Sequence, residues 1–120
     1  MTNRLLLALA AALTLTAALA AASYAKFEAI TIANSSLGFT VANINNTNGS
    51  HPAATVAICR LELAEIRWTI DGSAPTTTAG ILWEIGDAYT FTGNDTLNQF
   101  RAIRTGATSG QLDCTYSGSF

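Results

Sequence analysis

A chain of 120 residues has room for one domain and little more. Its charged fraction of 12% is about half the usual value near 25%, and its net charge is −2. The basic residues after Arg4 are scattered as Lys26, Arg60, Arg67, Arg101 and Arg104, so no basic stripe tracks a phosphate backbone and nucleic acid is excluded as a partner.

Residues 1–25 carry one early positive charge, a run without charge from Leu5 to Ala25, and small residues at the end. Ser23 and Ala25 sit at the −3 and −1 positions of a secretory cleavage site, so the plain reading is a signal peptide with the mature chain starting at Lys26. A retained assembly helix is the second reading, because Leu5, Leu9 and Leu13 stack on one face at i, i+4 spacing. A membrane anchor is the third; a membrane is a partner only if the leader is retained in that way.

From Phe27 the hydrophobic period becomes two. KFEAITIA and SLGFTVANI read as strands, with Leu37, Phe39 and Val41 on one face of the second. The polar stretch from Asn43 to Pro52 follows as a loop with a tight turn at Asn48-Gly49. It holds His51, the single histidine, which reads as an exposed spacer because no nucleophile pattern lies near it. ATVAICRLEL is the third strand, ending in a bend near Ala64.

The next strand, Glu65 to Ile70, alternates Ile66, Trp68 and Ile70 against Glu65, Arg67 and Thr69. It runs into a turn made by Asp71, Gly72 and Ser73 and closed by Pro75. Here Asp accepts backbone N–H bonds and Gly supplies the positive φ; the other ligands of a calcium loop are missing. GILWEI and DAYTFTG read as a hairpin about Gly86-Asp87, with Ile81, Trp83 and Ile85 on one face and Tyr89 and Phe91 on the partner. Trp68 and Trp83, in phase with isoleucines, read as core. LNQFRAIR and QLDCTYS close the chain, and Arg101 or Arg104 is placed to pair with Glu65 or Glu84.

About eight short strands separated by turn signals make an all-β domain over residues 26–120, a Greek-key β-sandwich or small barrel, preceded by the hydrophobic helix. Cys59 and Cys114 have no CxxC spacing and no second metal-ligand type nearby, which argues against zinc. They form either a disulfide, which suits an oxidising compartment, or two buried thiols, which the frequent burial of free cysteine favours. The carboxylates Glu62, Glu65, Asp71, Glu84, Asp87, Asp95 and Asp113 are spread one per strand or turn. No catalytic constellation, cofactor motif or metal motif emerges. Sequons start at Asn34, Asn45, Asn48 and Asn94, as expected by chance in a chain rich in Asn, Ser and Thr.

Two resemblances rest on these residues. IRWTIDGSAPTTTAG with the later FRAIRTGATSGQLDCTYS is similar to the immunoglobulin-like module appended to chitobiases and other bacterial glycan enzymes, an accessory module. The same segments, with KFEAITIANSSLGFTVANI and the Gly-Asp hairpin, resemble small tailed-phage virion proteins of the head-decoration or capsid-stabilising type. The resemblance implies an immunoglobulin-like β-sandwich acting as a non-enzymatic virion component, with capsid or other virion proteins and copies of itself as partners. The alternative it leaves is a secreted or periplasmic immunoglobulin-like binding module, associated with glycans.

Overall fold

The computed structural model describes residues 23–119. The helix expected over the leader, with Leu5, Leu9 and Leu13, lies outside those residues. The described chain forms two antiparallel sheets and is all-β in character. One sheet has the order β1-β7-β2-β5, from β1 (Ser23–Ile32), β7 (Gly110–Ser119), β2 (Val56–Glu62) and β5 (Ala88–Thr92). The other has the order β4-β3-β6, from β4 (Ile81–Trp83), β3 (Ile66–Thr69) and β6 (Arg101–Arg104). Two short helices, α1 (Val41–Ile44) and α2 (Asn94–Gln99), complete it.

The inner faces meet in an aromatic core. Trp68 packs edge-on to Trp83 and Phe91, with centroids 5.9 and 5.2 Å away. Phe39 stacks on Phe100 at 4.2 Å and meets Tyr116 edge-on at 5.4 Å. Each such pair adds about 0.5–1.5 kcal/mol beyond its buried area. Trp83, fully buried, donates its indole N–H to the Asp87 carbonyl at 2.9 Å. Both tryptophans are thus core residues, as their alternation with isoleucine suggests.

β1 begins at Ser23, inside the expected leader, with Ser23 to Ala25 paired to Ser119, Gly118 and Ser117. Cleavage after Ala25 would remove the first three residues of this strand. Cleavage after Ala22 would keep it whole, with Ala20 and Ala22 at the −3 and −1 positions.

Several expectations are corrected. The strand expected over SLGFTVANI reduces to a bridge between Leu37 and Ala102 followed by helix α1. Its odd-numbered alternation fails at Ile44, which is even-numbered and fully buried, whereas Val41 is exposed; a helical turn is what carries Ile44 inward. LNQFRAIR is helix and then strand, because Leu97 and Phe100 bury at i, i+3 spacing. The Glu84 to Asp87 turn exists, with Gly86 at φ 87°, but it does not close a hairpin. β4 pairs with β3 and β5 with β2, so the turn carries the chain between sheets. Gly86 and Asp87 are bonded to the backbone of Leu61 instead. Ile70, Ile81 and Ile85 are exposed although Trp83 between the last two is buried.

The bend expected near Ala64 is a tight turn centred on Leu63, which has φ 74° and is exposed, with Ala64 N–H donating to Glu62 O at 2.9 Å. Here the chain leaves one sheet for the other.

Cys59 and Cys114 are joined in a disulfide, which replaces the reading of two buried thiols. They are directly opposed in β2 and β7, with Cα atoms 4.1 Å apart. That is the close spacing of a non-hydrogen-bonded antiparallel pair, where side chains come nearest.

Candidate functional site

The expected turn is built as its residues dictate. Asp71 Oδ1 accepts from the Ser73 amide at 3.0 Å and the Ser73 hydroxyl at 2.5 Å, while Gly72 takes φ 84°. The hydroxyl and amide of Ser73 hold the Asp71 carboxyl below its ordinary range. Pro75 is buried against Gly80. Beside this turn lies an open apolar depression of about 230 Å³, lined by Trp68, Thr69, Ile70, Asp71, Gly80 and Ile81. Its polar side chains are committed to the turn, Asp71 Oδ1 to Ser73 and the Thr69 hydroxyl to the Ser73 carbonyl at 2.5 Å, and the rest of the lining is mainly apolar, so it has the makings of a contact surface.

A second cluster was missed in the sequence. Glu28 lies on the inner parity of β1, opposite Cys114, and its carboxylate accepts from the Thr40 hydroxyl at 2.6 Å and from the Asn43 amide. Beside it the Tyr24 hydroxyl donates to Asn43 O at 3.0 Å, and the Tyr24 ring stacks on His51 at 3.9 Å. His51 is therefore not an exposed spacer: its ring nitrogens face the carbonyls of Pro52 and Ala42 at 2.7 and 3.0 Å. The Tyr116 hydroxyl is buried without a hydrogen-bond partner among the described residues, and burial followed by the nearby Glu28 charge pushes its pKa up. A carboxylate at an inward position of an otherwise alternating strand was the available signal.

The third cluster straps the polar loop to α2. The Asn94 side-chain amide lies 2.9 Å from Ile44 O, 3.0 Å from Ala54 O and 3.1 Å from Asn45 Oδ1. Asn98 donates to Asn45 Oδ1 at 3.0 Å, and Asn45 donates back to Asn98 Oδ1 at 2.8 Å. These amides are structural, and a glycan on Asn45 or Asn94 would dismantle the strap. Arg101 does not pair with Glu65 or Glu84: its guanidinium caps the carbonyls of Asn98 and Phe100, while Arg104 reaches the Ser109 hydroxyl.

Among the described residues, the outer face of the four-stranded sheet is a further surface that no other element covers. The registers place Phe27, Thr115, Ile58 and Thr90 in one row across all four strands. The next row is Ala25, Ser117, Val56 and Thr92. Phe27 is 62% exposed and Ile58 54%. Neither row contains a charge; charges begin two residues along the strands, with Asp113 and with Arg60, which is paired to Glu62 at 3.1 Å. Apolar and hydroxyl groups cost less to desolvate than ions, so this face suits contact with another protein surface.

Among the described residues no group of three or more His, Cys, Asp or Glu side chains could hold a metal ion. No helix among them is long and apolar enough to cross a membrane. No protein-family model, no curated protein and no solved structure matches this chain.

Proposed function

We propose that the chain is a non-enzymatic structural protein of a phage virion, a decoration or cement protein that binds the assembled capsid, folded as an immunoglobulin-like Greek-key sandwich. The observation that carries this reading is the uncharged outer face centred on Phe27, Thr115 and Ile58. Covering it against neighbouring capsid subunits would stabilise the shell by preferential binding to the assembled state. The Greek-key reading is supported by the return of β7 between β1 and β2, with the intervening chain crossing between sheets at Leu63, at Gly86, after β5 and again after β6. The test is binding of purified protein to shells lacking it. Ile58→Lys should leave the fold intact and abolish binding; undiminished binding by this variant would reject the face as the contact.

A second reading is favoured by the Cys59–Cys114 bridge, since disulfides persist in oxidising compartments. On it the chain is a secreted or periplasmic immunoglobulin-like binding module, possessing the same outer face and directed to glycans or cell-surface proteins.

A further inference from the structure

We infer that β1 is a homodimerisation edge, on which a second copy of this chain adds its own β1 antiparallel about a two-fold axis at Phe27. This stands independently of the capsid reading.

β1 spans Ser23–Ile32 at the margin of its sheet. Among the described residues its backbone pairs only with β7 until Ala33, whose carbonyl accepts from the Arg104 amide. Long unpaired edges are templates for strand addition. The direction of each backbone group follows from the ladder. In β2, Leu61 exchanges bonds with Gly86 and Asp87, on the β5 side. Alternation then turns the Cys59 backbone to the same side, so Cys59 and Cys114 form a non-hydrogen-bonded pair, as their close Cα spacing also requires. The Cys114 backbone must therefore face β1 and bond Glu28. It follows that Ala25, Phe27, Ala29 and Thr31 present their N–H and C=O groups to the open edge. The Ala33 carbonyl, of the same parity, bonds outward as this scheme demands.

An edge of this parity pairs with itself in one register that satisfies both charges. Placing Phe27 opposite Phe27 makes them a hydrogen-bonded pair, with Ala25 opposite the other copy's Ala29 and Ser23 opposite its Thr31. Lys26 then faces Glu28 across a non-hydrogen-bonded position, twice by symmetry, where side chains approach most closely. Lys26 is exposed and has no ion pair in the described chain. The charge complementarity identifies the occupant as a second copy rather than an unrelated strand. Dimerisation would also make the Phe27, Thr115 and Ile58 rows of two chains one continuous uncharged stripe.

The test uses the full chain. Light scattering over a concentration series should give twice the 12.5 kDa chain mass, with the Ala25 and Phe27 amides slow to exchange. Ala29→Pro removes an N–H that the β7 ladder does not use; it should be monomeric with unchanged circular dichroism, and those amides should exchange freely. Lys26→Glu sets like charges opposite one another twice and should weaken the dimer on the order of tenfold. A wild-type chain that stays monomeric at millimolar concentration would overturn the proposal. So would a dimer undisturbed by both substitutions, including one held through residues 1–22, or one whose Ala25 and Phe27 amides exchange freely.

Discussion

Replacing both Cys59 and Cys114 by alanine should destabilise the domain by about 4 kcal/mol in loop entropy. The magnitude comes from the sequence separation of 55 residues between the bridged cysteines. Cross-linking a loop of that length removes conformational entropy from the unfolded chain, roughly 14 cal/mol/K, or about 4 kcal/mol at room temperature. Both sulfurs are fully buried, so the alanines also leave apolar volume unfilled, which adds to the loss. For a domain of this size each kcal/mol moves the melting midpoint by roughly 4–8 °C, so the variant should melt about 15–30 °C below the wild type. Urea and thermal unfolding followed by tryptophan fluorescence read both quantities, since Trp68 and Trp83 are in the core. Alkylation of the denatured, unreduced wild type should add no label. A shift below a few degrees, or two alkylated thiols in the wild type, would refute the reasoning.

Four other outcomes follow from the same contacts. Asn94→Ala should cost about 1–3 kcal/mol by urea unfolding, because it leaves the buried Ala54 carbonyl without its side-chain donor, while the Ile44 carbonyl keeps only its bond from the Ala54 amide. Leu63→Gly should gain up to about 1 kcal/mol, since a residue with a β-carbon is held at positive φ there and its side chain is largely exposed. The Tyr116 phenol binds its proton more tightly folded than unfolded. Its contribution is therefore complete below the unfolded tyrosine pKa of about 10 and is lost as pH rises beyond it. Ultraviolet titration should show Tyr116 ionising only with alkaline unfolding, and a phenol that titrates normally in the folded chain would contradict its burial. Gly118→Ala should be strongly destabilising in thermal melts, because its Cβ would lie 2.2 Å from the Ala53 carbonyl oxygen.

What could be read in the sequence was local. Alternation in EIRWTI placed Ile66 and Trp68 in the core, and the chemistry of Asp71, Gly72 and Ser73 specified their turn. Long-range pairing was not local, and there the reading failed. Nothing near Gly86-Asp87 reveals that β5 prefers β2 to β4, a choice made by Trp83 packing on Trp68 and by the bonds to Leu61. The cysteines followed the same rule: each looked like a buried strand residue, and only the β2–β7 register sets them opposite each other. The two short helices were hidden because each is under two turns and begins inside a segment with strand-like neighbours. Glu28 was legible as a misplaced charge, but its partners Thr40 and Asn43 come from a segment that reads as strand. The outer face needed the full register, since its rows combine residues from four separate strands.

The role in a virion is tested most directly by the intact mass and copy number of the natural protein in purified phage particles. The chain should be present at near-stoichiometric copy number relative to the capsid protein, at its full-length mass less the two hydrogens of the Cys59–Cys114 bridge. Particles without it, together with a secreted chain beginning at Ser23, would contradict the virion role and establish the secreted binding module in its place.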